Sequence, residues 1–421
     1  MAKEITAKIK NRADTASNWT SANPILSKGE IGLETDTNKF KFGDGITAWN
    51  SLNYLDAEVI AHKADGTQHK KTVRLVVGTS TAGWTAADCD YLCDGTADQT
   101  EINAAITALP ATGGEVVILD GTYNITAKIN VAKNNVSIRG NGNATILKRM
   151  YDSSTGEGVI TLTSRSGCKI ANLQVDGNKT SYTSSNNYGI YLYSSSNNTI
   201  TGNTCNNNGT GINLTSSSNN TVTGNTCYNN NNYGIRLYSS SNNTFTGNTC
   251  NNNGSYGIYL LSSSNENTIT GNTCCNNGSF SIYLSDAHNN TVTGNTCNNN
   301  SCGVYLASSN NNTVTGNTCN NNYYGIRIYS SSNNNTVTGN TCIDNTYGIY
   351  FQTSNRNTVT GNTCIRGTGL TTDYTASQHT IHLYGTGNNY NLISNNNCMG
   401  KAVTNGGGTG NTLVNNKFDA T

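Results

Sequence analysis

Thr199-Ile-Thr-Gly-Asn-Thr-Cys205 is the first of eight near-copies of one heptapeptide. The others begin at Thr221, Thr244, Thr268, Thr291, Thr313, Thr336 and Thr358, so successive copies start 22 to 24 residues apart. A fixed period of that size marks a solenoid in which each repeat is one coil stacked on the last. Between the copies lies a second apolar segment, as in Gly211-Ile-Asn-Leu214 and Gly303-Val-Tyr-Leu306, followed by Ser/Asn-rich turns. Apolar/polar alternation over four to six residues, punctuated by Gly and Asn, specifies short strands and not helices. A leucine-rich solenoid of similar period would carry Leu at several fixed positions and a helical stretch, and neither occurs. The repeats predict an all-β chain wound as a parallel β-helix.

Within each heptad the middle apolar residue, the Asn and the Cys should face the core. Stacking then places Ile200, Val222, Phe245, Ile269, Val292, Val314, Val337 and Val359 in one column, at roughly 4.8 Å per coil. Asn203, Asn225, Asn248, Asn272, Asn295, Asn317, Asn340 and Asn362 form a second. A buried amide is unfavourable unless paired, but identical amides stacked at strand spacing can bond along the column. This is how a polar chain, with mean hydropathy −0.50 and 12% charged residues, closes a core. Cys205, Cys227, Cys250, Cys274, Cys297, Cys319, Cys342 and Cys364 form the third column. Side chains in register on parallel neighbours sit poorly for disulfides, and free buried Cys behaves as a small hydrophobe. A reduced thiol ladder is expected.

On the Ile-x-Leu strand the alternate residues should face solvent. One such column reads Tyr191, Asn213, Arg236, Tyr259, Tyr283, Tyr305, Arg327, Tyr350 and His382. Its neighbour reads Tyr193, Thr215, Tyr238, Leu261, Ser285, Ala307, Tyr329, Gln352 and Tyr384. An aromatic stripe with interleaved Arg on a rigid sheet suits glycan contact. It equally suits a subunit interface, where Tyr and Arg are enriched, or plain stacking of residues with high strand propensity. The aromatic residue just before most of these strands, as at Tyr233 and Tyr256, lies in a turn whose side the sequence does not assign.

Only five acids follow residue 180: Glu266, Asp286, Asp344, Asp373 and Asp419, against 19 of the 24 before it. Glycoside hydrolysis needs two neighbouring carboxylates, and β-elimination needs a base with charge stabilisation. Asp286 and His288 replace turn Ser residues in one coil. From Cys364 to Cys398 the spacing widens to 34 residues, and the extra segment carries Arg366, Asp373, His379 and His382. Asp286, His288, Asp373, His379 and His382 are therefore the weak catalytic candidates. Binding without cleavage is the favoured expectation, with an enzyme, a lyase or glycosidase, left open.

Residues 98–109 open with Asp98-Gln-Thr-Glu101, a capping-box pattern, and carry apolar residues at helical spacing. This helix should plug the open end of the solenoid. Asp90 to Glu101 touches a calcium-loop pattern, but Leu92 stands where an oxygen ligand is needed. Cys89 and Cys93, without a second pair, make a poor zinc site. No metal and no cofactor is expected. Gly113-Gly-Glu-Val-Val-Ile-Leu-Asp-Gly-Thr-Tyr123, Asn135-Val-Ser-Ile-Arg-Gly-Asn-Gly142 and Ile170-Ala-Asn-Leu-Gln-Val-Asp-Gly177 resemble the opening coils of the pectin-lyase-like superfamily. The later repeats resemble its NosD-type members. This resemblance, over 80–421, implies a right-handed parallel β-helix and carries over no catalytic motif.

Residues 1–55 differ in composition and hold two of the three Trp. Arg12-Ala-Asp14, Gly29-Glu-Ile-Gly-Leu-Glu34, Lys39-Phe-Lys-Phe-Gly-Asp-Gly45 and Trp49-Asn-Ser-Leu52 resemble the N-terminal domain of phage tail-fibre proteins of the major-tropism-determinant type. That resemblance implies a small β-rich attachment and trimerisation domain over 1–55. Residues 56–79 read as a linker with a strand at 72–77, and 80–421 as the β-helix.

Met1-Ala-Lys-Glu-Ile5 lacks the apolar core of a signal peptide, and no stretch approaches transmembrane length. The formal charge of +1 gives no reason to invoke nucleic acid, and no membrane insertion is expected. The two resemblances together imply a tail fibre or tailspike located in the virion. It would be a homotrimer joined to other tail or baseplate proteins through residues 1–55 and presenting the β-helix to a host surface polysaccharide. The alternatives are a polysaccharide depolymerase and a purely structural fibre or adhesin.

Overall fold

The computed structural model describes residues 12–37, 39–54 and 73–419. The chain divides into two compact units, residues 1–71 and 72–421. The expected linker 56–79 lies outside the described residues except for 73–79, where the strand runs Arg74–Thr79.

In the first unit, strands Arg12–Asp14, Ile31–Glu34 and Phe40–Phe42 form one sheet. The helix Ala16–Ala22 starts at Thr15, whose hydroxyl accepts from the Asn18 N–H. Trp19, Leu26 and Trp49 make the core, with the two indoles stacked at 4.2 Å. Lys41 is buried and donates to the Trp49 carbonyl at 2.8 Å, its ammonium 4.1 Å from the Tyr54 ring.

The second unit is the parallel β-helix. A 12-stranded parallel sheet runs from Thr404–Asn405 back through His379–Tyr384, Tyr347–Gln352 and their repeats to Ile129–Val131. The Thr-x-Thr segments stack as a second parallel ladder, with Val222 opposite Phe245 and Val292 opposite Val314. The Thr-Cys segments continue it around the corner, with Cys205 opposite Cys227. Each heptad Gly turns that corner in the left-handed region, as at Gly224 with φ 61°, where a side chain is strained. The three expected internal columns are buried throughout.

The Asn column bonds as a continuous ladder. Asn225 Nδ2 donates to Asn248 Oδ1 at 3.0 Å and to the Ile200 carbonyl at 2.9 Å. Asn248 Oδ1 also accepts the Asn225 backbone N–H at 3.0 Å. Each amide therefore ties its neighbours on both sides and leaves little polar capacity unused. Two further ladders flank it: Asn198, Asn220, Asn243 and their repeats, and Asn208, Asn230, Asn253 and theirs. All 14 cysteines are unpaired, the eight of the heptad column among them. Burial raises the thiols of Cys250 and Cys274 above the ordinary cysteine value.

The helix Gln99–Ala108 covers the first coils with Ile102, Ala105 and Ile106 buried, and Lys133 donates to the carbonyls of Thr107 and Leu109 at its end. The capping box does not form. Asp98 adopts helical φ/ψ with no side-chain cap bond. Its carboxylate instead accepts the Gly95 N–H at 2.8 Å and the Asn124 N–H at 2.6 Å. Backbone donors in the preceding loop and in the strand Gly121–Ile125 outcompete the helix's own N–H groups. Among the described residues no helix is long and apolar enough to cross a membrane.

Candidate glycan-facing surface

The outer face of the 12-stranded sheet carries two aromatic columns. In each regular strand the small residue before the core Ile faces inward: a Cβ on Gly257 would sit 2.9 Å from Cys274 Cβ and 2.7 Å from the Ser281 carbonyl oxygen. Gly257 and Ile258 thus both face the core, and Tyr256 before them is placed outside. This answers the side that the sequence leaves open.

Tyr233, Tyr256 and Phe280 stack at 5.3 and 5.0 Å, and Tyr324, Tyr347 and His379 at 5.1 and 5.5 Å. Beside them, Tyr259, Tyr283 and Tyr305 stack at 4.9 and 4.8 Å. The two columns interlock edge to face, as in Tyr256 against Tyr283 at 5.2 Å. The expectation that the second column faces solvent is corrected accordingly. Tyr305 is 8% and Tyr350 5% exposed, and Asn213 is buried. Tyr191, Arg236, Tyr259, Tyr283 and Arg327 are half-buried. Ring faces at these spacings are covered by neighbouring rings, so only edges and hydroxyls reach solvent. Burial pushes the phenols of Tyr259 and Tyr305 up to about 12, which keeps them neutral donors.

Arg327 lies among the rings of Tyr305, Tyr324 and Tyr329, at 4.9, 4.8 and 4.6 Å, a cation–π cage. Arg236 lies 5.6 Å from the Tyr238 ring. In the neighbouring column Tyr193, Tyr238 and Tyr384 are 45%, 40% and 53% exposed, while Thr215, Leu261, Ser285, Ala307, Tyr329 and Gln352 are half-buried.

The weak catalytic candidates do not converge. Asp286 and His288 pair at 3.3 Å through Nε2, while His288 Nδ1 accepts the Asn310 N–H at 3.0 Å. His288 Nδ1 is thus taken by a backbone donor, while Nε2 faces the largely exposed Asp286 carboxylate. Asp373 sits in the turn Thr371–Asp373 and accepts from Thr368 Oγ1 at 2.8 Å and the Leu370 N–H at 3.0 Å. These bonds, the Thr368 hydroxyl first, hold its carboxyl below the ordinary value. His379 and His382 join the aromatic columns, their rings 4.1 Å apart. Burial lowers His379 to about 4 and His382 below its usual value. From Asn187 to Tyr384 the strands of this sheet contain no carboxylate. A separate cleft, lined by Arg74, Trp84, Asp120, Arg139 and Asn141, lies at the first coils; sequence periodicity gave no sign of it because those coils are irregular.

Residues 134–296 match the family described as right handed beta helix region, and 275–421 match the periplasmic copper-binding protein (NosD) family. The class is therefore a right-handed parallel β-helix. Residues 9–47 match the major tropism determinant N-terminal domain, and the chain has the domain order of a phage tail protein that carries such a helix. It is 40% identical over 55 residues to a hyaluronoglucosaminidase of a Streptococcus pyogenes phage, a match covering 13% of this chain and 15% of that protein. The match thus spans less than a sixth of that relative. Among solved structures, the A-module of a mannuronan C-5 epimerase from Azotobacter vinelandii is 18% identical, with TM-score 0.64, covering 82% of this chain and 99% of that one. The Dettilon tailspike protein is 18% identical, with TM-score 0.58, covering 74% of this chain and 66% of that one. At this identity the two structures establish the fold alone.

Proposed function

We propose that the chain is a tail-fibre or tailspike subunit that holds a host surface glycan on the outer face of its large sheet without cleaving it. The virion assignment is supported by the order of a major-tropism-determinant-type domain followed by the β-helix. In this reading residues 1–55 attach the chain to other tail or baseplate proteins, 56–79 link, and 80–421 form the receptor-binding helix of a homotrimer. No nucleic acid or membrane partner enters it.

One observation carries the glycan assignment. Tyr193, Tyr238 and Tyr384 stand exposed beside a stacked aromatic platform in which Arg327 is caged by three tyrosine rings, and Arg236 lies against the Tyr238 ring. Aromatic faces and planar guanidinium donors of this kind recognise sugar rings and their polar substituents. The test is adsorption of the purified chain to susceptible cells. Combined Tyr193→Ala, Tyr238→Ala and Tyr384→Ala should weaken it severalfold with the fold intact, and undiminished adsorption would reject this face as the binding surface.

The second reading, a depolymerase, is favoured by the phage hyaluronoglucosaminidase relative. Against it stand the lack of carboxylates in the sheet strands between Asn187 and Tyr384 and the Asn310 N–H that takes the His288 Nδ1 lone pair. A site shared between subunits would be needed to supply the missing acid pair.

A further inference from the structure

The sharpest unexplained cluster lies at the first coils, away from the aromatic face. The strand Tyr91–Cys93 ends at a buried thiol. The loop that follows turns back through Ala97 at φ 56° and delivers Asp98, then Glu101 in the first turn of the capping helix. Cys93 Sγ, one carboxylate oxygen of Asp98 and one of Glu101 lie within 4.8 Å of one another.

Three features set this cluster apart from ordinary surface acidity. Cys93 and Asp98 have no solvent exposure. Glu101 Oε2 is buried with no hydrogen-bond partner, because the capping box that would use it does not form. Among the described residues neither carboxylate makes an ion pair: the acids that do are Glu30, Glu115, Glu157 and Asp286. Asp98 is fully buried, and Glu101 is half-buried with its Oε2 enclosed. Enclosed carboxylate oxygens without a counter-charge are unfavourable, and a shared cation offsets that penalty.

The geometry points to a divalent metal site of the zinc class, with Cys93, Asp98 and Glu101 as its protein ligands. A thiolate with two carboxylates suits a borderline-soft ion of low coordination number. Calcium and magnesium prefer larger all-oxygen shells and are excluded by the sulfur. The backbone N–H groups of Gly95 and Asn124 orient the Asp98 carboxylate while leaving lone pairs free, the outer-shell arrangement that metal ligands require. Binding releases the Cys93 thiol proton to solvent. The site joins the end of a strand to the helix whose Ile102, Ala105 and Ile106 close the solenoid, so the bound ion clamps that cap.

The test uses the intact chain, stripped with chelator and titrated with zinc chloride by calorimetry, with calcium and magnesium chloride as separate arms. One zinc per chain is expected, together with a raised melting temperature and no response to calcium or magnesium. Cobalt(II) should give a thiolate charge-transfer band that is lost in Cys93→Ser. Glu101→Gln should lower zinc affinity about tenfold or more, while its metal-free form melts no lower than wild type, since only an unpaired charge is removed. Because Glu101→Gln spares the buried thiol, it keeps the test decisive if Cys93→Ser fails to fold. Absence of zinc binding by wild type, or equal binding by Glu101→Gln, would overturn the site.

Discussion

Tyr256 and Phe280 stand one coil apart with ring centroids separated by 5.0 Å and planes within 2° of parallel. Each also meets Tyr283 edge to face. The stripe is therefore part of what holds successive coils together, and its members differ from the exposed tyrosines beside them. Tyr283→Ala should destabilise the helix by roughly 2 kcal/mol through lost burial and stacking. Tyr193→Ala should change stability by no more than about 0.5 kcal/mol. Thermal unfolding of the two variants separates these roles; equal effects would show that the stack contributes no cohesion.

The central Asn ladder makes a sharper prediction. Asn248→Ala removes the acceptor for both Asn225 donors and leaves the Val222 carbonyl without the donor it now has at 2.9 Å. Buried polar groups left unpaired cost about 1–3 kcal/mol each, so the variant should lose about 3 kcal/mol or more. Replacing Asn252, a left-handed turn residue outside the buried ladders, by Gly should scarcely matter. Calorimetry on both variants checks the contrast.

The thiols of the Cys column, extended by buried Cys398, should resist alkylation in the native protein. Cys89 and Cys275, partly exposed, should react first. Mass spectrometry after brief labelling should show few modified thiols, and nearly all 14 after denaturation. Native oxidation of the column would show that its sulfurs are placed for bridging.

His379 stacks on Tyr347 and His382, and its Nδ1 lies 2.9 Å from Thr404 Oγ1. Burial first, then His382 and Lys401, lower it from 6.5 to about 4. The unfolded chain takes up this proton at a higher pH than the folded one. The neutral ring's contribution is thus complete above pH 6.5 and is lost as pH falls towards 4. His379→Phe, which repeats the Phe280 rung, should lose less melting temperature between pH 7 and pH 4.5 than wild type. An equal loss in both would place the acid sensitivity elsewhere.

The heptad columns were legible because identical residues at a fixed period leave one stacking register, in which Val222, Asn225 and Cys227 all face inward. The aromatic face was less so. Gly257 and Ile258 both turn to the core, which breaks the alternation from which the side of Tyr256 would be inferred. Exposure of Tyr305 and Tyr350 was overestimated because alternation says which side a residue takes and nothing of how neighbouring rings cover it. Asp98 and Glu101 spelled a capping box, but the Asn124 N–H from a later strand claims Asp98. Their grouping with Cys93 depends on the turn at Ala97, which composition does not reveal.

The central claim is that this β-helix binds a host glycan and leaves it whole. Polysaccharide purified from a susceptible host should be incubated with the intact chain and followed by size-exclusion chromatography with light scattering. The account predicts that the protein co-elutes with polysaccharide of unchanged chain length, and that the combined Tyr193, Tyr238 and Tyr384 variant loses co-elution. Progressive shortening of the polysaccharide by the wild-type chain would contradict it.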